Sequence, residues 1–173
     1  MNWFIFKEVH YQVIKELEEQ TDRGAAIIAA AFLDERLAEA IRSRLRPLPK
    51  VTKKLLSSSG PVGTFSARID LAYTLGYYGE RSHRDLHLIR KIRNKFAHNL
   101  EPTSFDTESI SHLCAELWLP QKVLEMGRDT PPSEPRAQYL RAVNILNSLI
   151  WSETYSSETK DRGKVEEPHF LPW

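Results

Sequence analysis

The sequence predicts an all-α chain, a single-domain bundle of about six helices. Three observations carry this. Apolar residues recur at spacings of three and four, no stretch holds the alternation of a half-buried strand, and the 7 glycines and 10 prolines fall mostly between the periodic segments. With 173 residues, 41% of them apolar and 27% charged, the chain is long enough for one real core and too apolar to be disordered. The domain is expected over 1–155, with a flexible tail over 156–173.

The first helix is expected from Trp3 to Gln20, with Phe6, Val9, Val13, Ile14 and Leu17 on one side. Asp22 suits the N-cap of a second and longest helix, which carries Ile27, Ala31, Ala38, Ile41 and Leu45 and stops at Pro47. Leu48 to Gly63, with Ser57-Ser58-Ser59-Gly60-Pro61, reads as a connection. A third helix follows from about Thr64 to Leu75, and Gly76 suits a left-handed C-cap. Ser82 and Asp85 resemble a capping box opening a fourth helix that ends near His98. The fifth starts at Asp106 or Thr107 and stops before Pro120. Gly127 to Pro135, with three prolines, is a linker, and Leu140, Val143, Leu146, Leu149 and Ile150 mark the sixth helix.

Charges intrude on these apolar faces. With Ile27 as origin, Asp34 falls at about −20° on the second helix, in line with Ile41 and Leu45. Arg68 falls inside the apolar arc of the third helix, and Arg93 shares the apolar side of the fourth. A buried lone charge is costly, so each needs a partner. Asp34 with Arg68 is the first pair expected, as an internal salt bridge fixing helix packing or, less simply, as the lining of a cleft.

The fourth helix is also strongly basic. Arg81, Arg84, Arg90, Lys91, Arg93 and Lys95 face a single acid, Asp85, a local balance of +5. The stretch from Glu101 to Trp118 has a balance of −4, so the two could pair within or between subunits. Arg84, Arg90, Lys91 and Lys95 are the candidate binding residues, since a cationic helix attracts phosphates, although a solvated face explains it equally. Arg93 and His98 hold the parts for metal-free RNA cleavage, a guanidinium for phosphate and an imidazole for proton transfer. Five residues separate their side chains by about 140° on an ideal helix, so they meet only through a distorted last turn or across two copies. Structural roles account for both as well: His98 can offset the helix dipole while Arg93 pairs with Asp85 or a neighbour.

His83 and His87 are spaced i,i+4 and could touch one metal, but no third ligand is evident, so no metal and no cofactor are predicted. The single cysteine, Cys114, excludes an intrachain disulfide and suits a reducing cytoplasm. The longest apolar run, Ala25 to Leu33, is about half of a membrane span, and no signal peptide is read. There is no phosphate-cradling glycine loop, nucleophile elbow or helix-turn-helix.

The segments 22–26, 32–37, 60–69, 73–76 and 88–94 resemble the mannitol operon repressor family, most specifically from Gly60 to Gly76. That resemblance implies an all-helical transcriptional regulator. The run Arg93-Asn94-Lys95-Phe96-Ala97-His98 is similar to the signature of the HEPN superfamily, which implies a HEPN-like bundle, often dimeric and often a metal-independent ribonuclease. By that likeness Arg93 and His98 would be catalytic and Asn94 supporting. The expectation is a cytoplasmic regulator, a homodimer, that acts on a regulatory protein or on nucleic acid, RNA before sequence-read DNA. The alternatives are the ribonuclease and a non-catalytic interaction module.

Overall fold

A computed structural model describes residues 15–17, 19–99, 101–122 and 132–155. The helix expected over Trp3–Gln20 therefore lies mostly outside the described residues, as do the tail from Ser156 and most of the linker. The described residues form helices and turns with no strand. Residues 15–17 are helical, and among the described residues seven helices follow in order: α1 (Asp22–Arg44), α2 (Pro49–Leu56), α3 (Phe65–Thr74), α4 (Glu80–His98), α5 (Glu108–Ala115), α6 (Leu119–Lys122) and α7 (Pro135–Tyr155). None among the described residues is long and apolar enough to cross a membrane.

The central helix is α1, which packs against α7, α4 and α3. Its buried face is built on alanine: Ala25, Ala26, Ala29, Ala30 and Ala40 are closed to solvent beside Leu33, Leu37 and Ile41. Small side chains let three helices approach one, and the leucines fill the gaps between them. This face is rotated from the one read off the sequence. Ile27 and Ala31 are exposed, the buried arc centres at about −100° from Ile27, and Asp34 sits at its edge rather than its middle. The larger isoleucine drew the stripe toward itself, while packing selected the alanines.

Helix ends differ from the sequence expectation for physical reasons. Thr21, not Asp22, caps α1, its hydroxyl accepting from Gly24 N–H at 3.2 Å. Asp22 instead accepts from Phe105 N–H at 2.9 Å and pairs with Arg136 at 2.8 Å. The connection read over Leu48–Gly63 contains α2, with Pro49 in the first turn, where the missing N–H costs nothing. Ser82 and Asp85 form no capping box, because α4 begins earlier, after Gly79, and both lie buried within it. Leu119–Lys122 makes a further helical turn through Pro120. Gly76 has the expected left-handed backbone, φ 75°, with Tyr77 N–H reaching Ala72 O at 3.1 Å.

Polar clamps tie the apolar layers together. Buried Tyr139 donates to Ala26 O at 2.9 Å, joining α7 to α1, and its ring packs at a tilt on Phe105, which packs likewise on Phe96. Arg136 also reaches the carbonyls of Leu17 and Gln20, holding the start of α7 against the entry of α1. Tyr77 donates to Ala40 O under the Arg44 guanidinium, which lies 4.2 Å from its ring centre.

Candidate functional site

Asp34 and Arg68 meet at 2.9 Å between α1 and α3. The rest of the Arg68 fork is used as well: Nε donates to Val62 O at 3.1 Å and Nη2 to Leu56 O at 2.9 Å. Burial raises the Asp34 carboxyl above its usual value, and the attraction of Arg68, then of Arg93, only partly offsets it. Every polar contact of the pair is turned inward, to the chain's own helices and loop.

The basic helix α4 divides its cations. Arg81 lies over the Trp118 ring at 4.5 Å, and Arg84 pairs with Glu116 at 3.2 Å, so part of the acidic stretch neutralises α4 within one chain. Arg90 is half-buried, its Nε shut from solvent without a hydrogen-bond partner. Lys91 and Lys95 are exposed, and Lys95 donates to Ser109 Oγ at 3.2 Å.

These two lysines rim an open groove of about 760 Å³ between the C-terminal half of α4 and α5. Asn94 and His98 line it with them, and Ile110 and Leu113 give its floor an apolar strip. Arg93 is not among its lining residues. It is half-buried, donates to Asn94 Oδ1 at 3.0 Å, and its charge acts on Asp34 in α1 and Tyr139 in α7. Nor does it pair with Asp85. Within one chain, then, His98 and Asn94 line the groove, while half-buried Arg93 stands outside the lining and reaches it through its bond to Asn94.

Three arrangements escaped the sequence reading. Asp85 is fully buried and accepts from Trp118 N–H at 3.1 Å and Leu119 N–H at 2.9 Å, which ties α4 to the start of α6. Asp70 of α3 joins His83 and His87 of α4, supplying the third group the sequence lacked. Arg136 clamps the start of α1 from over a hundred residues away. None has a local signature, because each partner is distant in sequence. Cys114 is buried and its thiol is pushed up to about 12, so it is protonated and unreactive.

An alanine-packed bundle with a cation-rimmed open groove defines an all-α protein that presents a surface. The mannitol repressor family matches residues 11–148, and the chain belongs to that family. Among solved structures, the MtlR–HPr complex from Escherichia coli is similar, with a TM-score of 0.65 and 21% identity, covering 82% of this chain and 97% of that one. That likeness shows the fold. No curated protein matches.

Proposed function

We propose that this chain is a regulator of the mannitol repressor type that acts by docking a protein of the HPr kind in the groove between α4 and α5. The observation that carries this reading is the groove itself, where Lys91, Lys95 and His98 stand around the apolar strip of Ile110 and Leu113. An apolar centre with a cationic rim suits a protein surface that presents apolar side chains ringed by acids. The similar Escherichia coli chain, crystallised with HPr, supports a protein partner.

The test is calorimetric titration with HPr of the same organism. Wild type should bind, with an affinity that falls as salt rises, and Lys91→Glu with Lys95→Glu should weaken binding by about tenfold or more through like-charge contact. No binding by wild type, or equal binding by the double variant, overturns the assignment of this groove. Binding of RNA in place of HPr would turn the same cations to a polyanion.

A further inference from the structure

Outside that groove, on the face shared by α3 and α4, three side chains converge more closely than hydrogen bonding explains. Asp70 Oδ1 lies 2.9 Å from His83 Nε2 and 3.0 Å from His87 Nε2, and the two ring nitrogens are 3.2 Å apart. Each Nε2 has one in-plane site, which holds either a proton or a lone pair. With both protons directed at the carboxylate, the nitrogens confront each other as two donors. With one nitrogen accepting from the other, it has no proton left for Asp70. With Asp70 ionised, no protonation state of the two rings turns all three contacts into hydrogen bonds.

A cation does satisfy all three. An ion about 2 Å from each atom sits about 1 Å above the plane they define, within the bond lengths of zinc to imidazole and carboxylate. The i,i+4 spacing puts both rings on one side of α4, and Tyr73 stacks on the His83 ring at 4.5 Å, closing one flank. The two histidine side chains are about a quarter exposed and that of Asp70 is 58% exposed, so the remaining coordination positions open to water.

We propose that Asp70, His83 and His87 form a binding site for a divalent transition-metal ion of the zinc class. Two imidazoles and one carboxylate are borderline donors that favour such ions over magnesium or calcium. The bound ion clips α3 to α4 across the turn at Gly76, and it leaves at least one position free for a water or an external ligand. The site does not depend on the proposed partner groove.

The experiment uses untagged, chelator-stripped full-length protein titrated with zinc chloride by calorimetry, with cobalt(II) absorption as a report of coordination. Wild type should saturate at one ion per chain and its melting temperature should rise with zinc. Asp70→Asn, His83→Gln and His87→Gln should each weaken binding by about tenfold or more while retaining the helical circular dichroism of wild type. His112→Gln, on α5, should bind as wild type does. A wild type without a saturable site, or a His83→Gln or His87→Gln protein that loses less than tenfold, overturns the proposal.

Discussion

Arg68 donates to Asp34 across 2.9 Å, and the same guanidinium holds the carbonyls of Leu56 and Val62. One side chain thus joins α1, α3, the end of α2 and the loop that follows it. The segment in which the family resemblance is strongest, Gly60 to Gly76, is built around this cation.

Removing that cation leaves a largely buried carboxylate and two carbonyls without their donor. Arg68→Met should therefore destabilise by about 3 kcal/mol or more. Adding Asp34→Leu should recover part of the loss, because the unpaired charge goes with it. Urea denaturation of the two singles and the double measures this; strictly additive losses would remove the pair from the packing account.

Asp34 also carries a pH signature. Its folded carboxyl lies above the unfolded value because burial outweighs Arg68, so the folded state binds the proton more tightly. The contribution is fully present below the unfolded value of about 4 and is lost as pH rises through the raised folded value. Relative to Asp34→Asn, wild type should become more stable as pH falls toward 4, as read by denaturation midpoints at several pH values. A difference that stays flat, or tilts the other way, contradicts the stated balance of burial and attraction.

The loop that Arg68 holds is backbone packed on backbone. A Cβ on Gly63 would meet Ser57 O at 2.2 Å and Ser58 O at 2.8 Å. Gly63→Ala should cost about 2 kcal/mol or more, because backbone cannot yield as a side-chain tip does. Gly79→Ala, with nothing within 4 Å of the added carbon, is the control. Thermal melts of both variants decide it.

Among the described residues, Asp85 is the acceptor for two N–H groups at the start of α6, the part-buried one of Trp118 and the buried one of Leu119. Asp85→Ala should destabilise by about 2 kcal/mol or more. Hydrogen exchange should quicken first at those two amides, and unchanged protection there would assign them another partner.

The orientation of Arg93 and His98 bears on the ribonuclease expectation. With Arg93 half-buried, engaged by Asn94 and outside the lining that holds His98, RNA incubated with the protein and chelator should stay intact. Chelator-resistant cutting, lost in both Arg93→Ala and His98→Ala, would establish cleavage at those two residues.

The helices were legible where apolar periodicity was long. The stretch that became α4 shows Leu86, Ile89, Ile92 and Phe96 at helical spacing, and all four are buried. Helix α2 was not legible, because eight residues opening with a proline look like the break they immediately follow. The face of α1 was misread in angle, since alanine carries little hydrophobic weight and only the fit of α3, α4 and α7 shows that small residues are needed there. The apparent capping box failed for a similar reason: Asp85 has the right spacing from Ser82, yet its partners lie more than thirty residues downstream.

Linear order alone specified an all-helical chain, the left-handed turn at Gly76, the cationic character of α4 and the need of Asp34 and Arg68 for partners, because these follow from spacing, steric freedom and the cost of a buried charge. Packing decided the remainder: that Asp70 meets the two histidines, that Arg93 stays outside the groove His98 lines, and that this open groove lies beside the lysines. Such juxtapositions join residues on different helices, or on different faces of one, and they exist only once the helices have settled at a particular rotation against their neighbours.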